Sequence, residues 1–341
     1  MNKWAILGGL IIASVLVYNV QSGKVVIDDI MNIMRFEPKD EELTVMAFGD
    51  MMLGRYVRVL MDQNGKDYIF ENVKEMLDDA DVLFANLEGP IKGEGKKGGT
   101  SMNFSFNEDI APFLKEKGFD VLTIVNNHAL DQGWDGRWST INALEDYGIG
   151  WCGHPSEVDY DSVYKREKGG IQYAFVCFDD VGHNLDQEAA VTLIEDISRD
   201  VDYVIVTIHW GVEYNHYPDN GMQVEPGREF VDAGADVVIG HHPHVVQGFE
   251  IYNDRPIFWS LGNFVFDQYW STATQEELGV LFTFSEEKFS IKLYPMKSEM
   301  SKPRLLTDEE FDVWIENFIN YSDYTEDVQK QIRSGLIEIN L

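Results

Sequence analysis

The chain has 341 residues, 44% of them hydrophobic and 13% aromatic, enough to bury a sizeable core in one large domain or two small ones. Its formal net charge of −32 excludes a nucleic-acid partner, because a phosphate backbone would be repelled. It argues equally against docking on an anionic membrane surface; a polyanionic substrate would need a locally positive site, which bound metal cations can supply.

The N-terminus carries Lys3 and then an uncharged apolar run from Trp4 to Val20. That run is at the short limit for a membrane span and long for a signal segment. No A-x-A cleavage site follows, although Val20-Gln21-Ser22 is a passable substitute. Residues 1–22 are expected to be an uncleaved membrane anchor, with a cleaved signal peptide as the alternative, and the large acidic domain to be exported. Residues 23–42 form a linker. From 43 the chain alternates two kinds of segment. Apolar runs at 43–48, 80–86, 119–125, 171–178, 201–210, 235–240, 256–261 and 279–284 read as strands. Segments at 70–80, 110–118, 135–148, 185–198 and 226–234 space their apolar residues by three and four, as helices do. The pattern is that of an α/β domain over 43–285 with largely buried strands. Between two of these elements, residues 89–101 form a glycine-rich basic loop. Residues 286–341 are expected to be a C-terminal helical extension, its first helix opened by a capping box at Thr307 and Glu310. Cys152 and Cys177 belong to no metal-binding spacing. Two buried thiols are the expected state, and a disulfide is open to them in an oxidising compartment.

The informative residues stand where the strands end. "LTVMAF" runs into Gly49-Asp50, "ADVLFA" into Asn86-Leu87-Glu88, and "FDVLTIV" into Asn126-Asn127-His128, with Asp131 just after. "VIVTI" runs into His209, with Glu213 close behind; "ADVVIG" runs into His241-His242-Pro243-His244, and "IFWSLG" into Asn263. The carboxyl edge of an α/β sheet is where ligands bind. Asp, Glu, Asn and His without Cys suit Zn, Mn or Fe rather than iron–sulfur or cuprous sites. Pro243 fixes one φ between His242 and His244, so both can converge without a helix. The chain has no nucleophile elbow, no Walker loop and no dinucleotide fingerprint after a strand.

Six ordered segments, "FGDMMLGR", "NLEGPI", "NNHALDQG", "HWGVEY", "GADVVIGHHPHVVQ" and "SLGNFVFDQ", resemble the CapA capsule-synthesis proteins of bacteria. These are the poly-γ-glutamate group within the calcineurin-like metallophosphatase superfamily. The resemblance implies a four-layer sandwich: two mixed β-sheets with helices outside and one or two divalent metal ions (Mn, Fe or Zn) over the strand ends. By position it implies metal ligands at Asp50, Glu88, Asn127, His209, His242 and His244. It makes His128 the acid that protonates a leaving group, with Asp131 to orient it. His241 becomes a neighbour of the ligands, and Arg55 could grip a substrate carboxylate or phosphate. The chain departs from the superfamily in its first motif, where Asp-x-His is usual and Met51 and Met52 follow Asp50. It departs again at Glu88, where the second motif usually carries Asp.

The function these residues imply is an anchored, extracytoplasmic metal-binding protein of poly-γ-glutamate synthesis, export or processing. If catalytic, it is a metal-dependent hydrolase or transferase. Its expected partners are an anionic polymer and other membrane subunits of capsule synthesis. The alternatives are a metallophosphoesterase acting on phosphomonoesters or phosphodiesters, and a non-catalytic assembly subunit.

Overall fold

The computed structural model describes residues 42–340 apart from 96–97 and 286–287. The chain divides into two units, Met1–Lys39 and Asp40–Leu341, and the described residues belong to the second. The anchor and most of the linker expected from the sequence lie outside them. Among the described residues no helix is long and apolar enough to cross a membrane.

Two mixed sheets carry the fold. The first contains β1 (Glu42–Met51), β2 (Val82–Leu87), β3 (Val121–Thr123), β4 (Gly150–Cys152), β11 (Asn263–Val265), β12 (Glu276–Ser285), β13 (Lys288–Ser298), β14 (Pro303–Leu305) and β15 (Leu336–Asn340). Its order is β14-β13-β12-β1-β2-β3-β4, with β11 beside β1 and β15 beside β13. The second runs β5-β6-β7-β8-β10-β9. It is built from β5 (Val163–Lys168), β6 (Ile171–Asp179), β7 (Tyr203–His209), β8 (Val237–His241), β9 (Phe249–Tyr252) and β10 (Arg255–Phe258). Strands β1 to β4 are mutually parallel, as are β6, β7, β8 and β10. The hairpins β5-β6, β9-β10 and β12-β13 are antiparallel, as is the pairing of β12 with β1.

Alternation along each strand divides the apolar residues among three cores. Leu43, Val45 and Ala47 of β1 meet Phe175, Ile205 and Ile239 of the second sheet in the central core. Met46 and Phe48, pointing the other way, pack in the core that also holds Val57 and Met61 of α1 (Arg55–Asn64), Met76 and Leu77 of α2 (Lys74–Leu77), Leu114 of α3 (Ile110–Glu116) and Leu144 of α4 (Gly133–Asp146). The outer face of the second sheet buries Ile194 of α5 (Gln187–Ser198) and Phe230 of α6 (Glu225–Asp232). Helix, sheet, sheet, helix is the four-layer order that the resemblance implied. Because the central strands are covered on both faces, they read as unbroken apolar runs.

The structure corrects three expectations. The helix expected at 70–80 is only a 3-10 turn at Lys66–Phe70 and the short α2. Asp78 and Asp79 follow α2 directly, and acids at a helix C-terminus oppose its dipole. The C-terminal stretch is not a helical extension beyond a finished domain. β13 pairs with β12 from Glu276↔Lys297 to Phe284↔Phe289, and β15 adds to β13. The helices α7 (Asp308–Ile319) and α8 (Glu326–Ser334) are present, and Thr307 and Glu310 form the expected capping box. Their Trp314, Phe318 and Ile332 belong to the central core, so this segment completes the sandwich rather than decorating it. Finally, Cys152 and Cys177 are not free thiols. They lie on facing strands, β4 of one sheet and β6 of the other, and form a disulfide across the central core.

Candidate metal centre

The strand ends of both sheets meet at one edge. Asp50 is in register with Asn86 and with Asn263, while His209 faces His241 across β7 and β8. β11 can approach β1 this closely because Gly49 has no side chain: a Cβ there would stand 1.9 Å from the Gly262 carbonyl oxygen. The first sheet thus contributes Asp50, Glu88 and Asn127. The second contributes His209, His242 and His244. Five of these six are buried, and Asn127 is half-buried.

Hydrogen bonds fix them in a chain. Asn86 Nδ2 donates to Asp50 Oδ1 at 2.8 Å, and Asn126 Nδ2 donates to Asn86 Oδ1 at 3.1 Å. The Asn126 Oδ1 in turn accepts from the His128 backbone N–H at 3.1 Å. Asp50 Oδ2 accepts from the His242 backbone N–H at 3.2 Å. His209 Nε2 lies 3.0 Å from Asn127 Oδ1. His244 Nδ1 lies 3.0 Å from Asn263 Oδ1, and the Asn263 amide is itself held by Gln268 and the Thr274 carbonyl. Orienting partners of this kind set the tautomer and angle of a ligating imidazole. His242 and His244 take left-handed backbone conformations, φ 95° and 57°, which non-glycine residues adopt only where the surroundings enforce them.

Glu88 is the carboxylate of this edge that the described residues leave without a hydrogen bond. It is fully buried, and among the described residues neither carboxylate oxygen has a hydrogen-bond partner. Around it stand His244 Nε2 at 3.7 Å and His128 Nε2 at 3.8 Å. Burial, opposed by His244 and reinforced by Asp50, pushes Glu88 up to about 7. Burial also works against a charge on His244, but Glu88 and Asp50 override it and raise its pKa to about 9. Burial and the neighbouring His244 lower His242 to about 4, and burial first, then His242, holds His209 well below the usual imidazole range. Burial opposes the Asp50 charge as well, yet the imidazoles of His241 and His244 keep its carboxyl well below the usual range.

Two buried carboxyl groups, Asp50 and Glu88, and two imidazoles held neutral, His209 and His242, leave the protonated His244 as the cation between the acids in the metal-free site. One donor atom each from Asp50, Glu88 and His209 lie within 4.8 Å of one another. His242 Nδ1 is buried without a hydrogen-bond partner among the described residues, as is His241 Nε2, while His241 Nδ1 stands 3.3 Å from Asp50 Oδ1. Buried carboxylate, amide and imidazole donors gathered in this way fit a divalent cation.

His128 and Asp131 come together as the sequence suggests. His128 Nδ1 is 2.8 Å from Asp131 Oδ2, and the ring stacks on Phe104 with centroids 4.0 Å apart. Burial disfavours the imidazolium, but Asp131 and Glu88 outweigh it and raise the pKa. Arg55 is not poised to grip a substrate. It is buried, its Nε donates to Asp267 Oδ1 at 3.1 Å, and its Nη1 reaches the Ser101 carbonyl at 3.4 Å. The Gly98 N–H bonds back to the Arg55 carbonyl, so Arg55 moors the 89–101 loop instead. Asn86 and Asn126 stand at strand ends in the sequence with no role assigned to them, and their amides relay the chain of bonds; Phe104 carries no sequence signal. Asp179 is absent from the sequence-based set, yet it ends β6 in register with His209 and is pushed up to about 7, chiefly by burial. Asp179 was legible in principle, since it ends an apolar strand as the others do.

A four-layer sandwich with Asp, Glu, Asn and His gathered over its strand ends defines the metallophosphatase-like class of α/β protein. Residues 44–268 match the family described as "Bacterial capsule synthesis protein PGA_cap", and the chain belongs to that family. It is 32% identical over 292 residues to the capsule biosynthesis protein CapA of Bacillus anthracis, covering 79% of this chain and 71% of that one. It is 33% identical over 256 residues to the PGA biosynthesis protein CapA of Bacillus subtilis, covering 70% and 67%. Among solved structures, a hypothetical protein from Thermus thermophilus overlaps 76% of this chain and 96% of its own, with a TM-score of 0.45 at 17% identity.

Proposed function

We propose that the protein is a membrane-anchored, extracytoplasmic metal-binding protein that handles an anionic polymer of the poly-γ-glutamate type during capsule synthesis, export or processing. The observation that carries the metal reading is the Glu88 carboxylate, fully buried with both oxygens unpartnered among the described residues. Burial disfavours that charge, and a divalent cation would favour it. The capsule and PGA names of the two Bacillus relatives support the polymer. The buried Cys152–Cys177 disulfide supports folding in an oxidising compartment, and the Trp4–Val20 run supports the anchor. Other membrane subunits of the capsule machinery are the proposed protein partners.

When bound, the cation polarises a carbonyl or phosphoryl oxygen and makes a nucleophile available at neutral pH. The chain's own residues do the rest. Asp131 holds His128 through Nδ1, which leaves Nε2, 3.8 Å from Glu88 Oε1, to carry a proton on the side of the centre. Phe104 fixes the plane of that ring. From there His128 delivers the proton to a leaving amine or alkoxide. That pairing favours a hydrolase or transferase over a purely structural role, and hydrolysis of a phosphoester is the second reading it supports.

Elemental analysis of the purified full-length protein after dialysis tests the metal reading. About two ions per chain is the expected result for a binuclear centre. A folded protein that retains no metal and takes up none on titration overturns it.

A further inference from the structure

After Asp50 the first strand end supplies no second metal donor. In the metallophosphatase superfamily the first motif, Asp-x-His, supplies a histidine, and this chain has Met51 and Met52 after Asp50. Both methionines are fully buried among apolar residues, and the Met52 sulfur accepts the Gly54 N–H at 3.3 Å. Neither supplies a nitrogen or oxygen donor. A substitute has to come from elsewhere in the fold.

The loop after β7 carries one. Gly211, at φ 81°, and Tyr214, at φ 64°, turn this loop sharply. The Tyr214 N–H donates to the Pro243 carbonyl at 2.8 Å. Pro243 is the residue between His242 and His244, so this bond sets Glu213 against the His-Pro-His segment. One carboxylate oxygen of Glu213 and one ring nitrogen each of His242 and His244 lie within 4.8 Å of one another. His242 is only 5% exposed, and its Nδ1 has no hydrogen-bond partner among the described residues. A buried imidazole nitrogen without a partner, beside a carboxylate and a second imidazole, is a donor set waiting for a cation.

We infer that Glu213 is a metal ligand that replaces the missing first-motif histidine, forming with His242 and His244 a second cation-binding trio beside Asp50, Glu88 and His209. The inference rests on the metal-centre reading and goes beyond it in assigning this ligand. Exchanging an imidazole for a carboxylate adds a negative charge and a hard oxygen donor. That shift favours a hard divalent ion such as Mn²⁺ in this position over Zn²⁺.

The test is manganese titration of the detergent-solubilised full-length protein. Free Mn²⁺ is read by electron paramagnetic resonance and bound metal by elemental analysis, for wild type, Glu213→Gln, Glu213→Asp and His241→Gln. Glu213→Gln keeps the shape and loses the charge, at a half-exposed position that the core does not need. The expected result is about two ions in wild type, with one of them weakened roughly tenfold or more in Glu213→Gln and partly restored in Glu213→Asp. Wild-type stoichiometry and affinity in Glu213→Gln overturns the inference and leaves the metal centre standing. Loss of an ion in His241→Gln, with none lost in Glu213→Gln, assigns the replacement to His241 and also overturns it. A wild type that binds no manganese at all overturns both the inference and the reading beneath it.

Discussion

Removing the disulfide should cost the domain a definite amount of stability. Cys152 and Cys177 are 25 residues apart in sequence and lie on strands of different sheets. In the chain-entropy account, cross-linking a loop of that length removes about 3.5 kcal/mol of denatured-state freedom at 25 °C. Both residues are fully buried, so Cys152→Ala/Cys177→Ala exchanges the link for two small apolar side chains and introduces no buried polar group. The assay is urea denaturation of oxidised wild type and of the double variant, followed by fluorescence. With an m-value of roughly 3 kcal/mol/M, the midpoint should fall by about 1 M. A thiol titration of unfolded wild type, run without reductant, should find no free thiol. Two free thiols per chain, together with an unchanged midpoint, would refute both the cross-link and the oxidising compartment argued from it.

Three further outcomes follow from the centre. Asp50→Ala or His242→Ala should lower metal content by about one ion per chain relative to wild type, read by elemental analysis; full metal in both variants would show that these residues are not ligands. His128→Ala should keep the wild-type metal content yet slow any hydrolysis the protein performs by about 10²- to 10⁴-fold, and unchanged turnover would remove the acid role. Metal affinity should rise with pH. The metal-free His244 has a pKa raised to about 9 and Glu88 one raised to about 7, so an incoming ion must displace the His244 proton between those values. One displaced proton strengthens apparent binding about tenfold per pH unit, and a pH-independent affinity from about 7 to 8.5 would contradict the assigned protonation.

Much of the architecture is legible because its central strands are buried on both faces. "FVC", "VIVTI" and "DVVIG" have no polar face to interrupt them, so the first polar residue after each marks the sheet edge. That is why Asp50, Glu88, Asn127, His209, His242 and His244 stand out. β13 is less visible. Phe289, Ile291 and Leu293 alternate with Lys288, Ser290 and Lys292, a strand signature, but the acid-rich helix starts just beyond it pull the segment toward a helical reading. Arg55 shows a different limit. Its chemistry suits an anion, and only the folded chain brings Asp267, 212 residues away, onto its guanidinium. Asn86 and Asn126 are hidden for a third reason: an amide that relays a hydrogen bond looks the same in sequence as Asn127, which can ligate. The cysteine pair depends on two strands facing each other across the core, which spacing alone does not encode.

The donors of the centre are divided between two sheets, and this has a consequence for supply. Neither sheet by itself presents more than part of the set: Asp50, Glu88 and Asn127 arrive with one, His209, His242 and His244 with the other. The grouping of Asp50 and Glu88 with His209 therefore does not exist until the sheets have packed, whereas Glu213, His242 and His244 all follow strands of the second sheet. An ion at the proposed centre would then be drawn from those free where folding finishes. If that place lies outside the cytoplasm, the occupant will follow the growth medium, and cells starved of one cation would be expected to load another into the same folded protein.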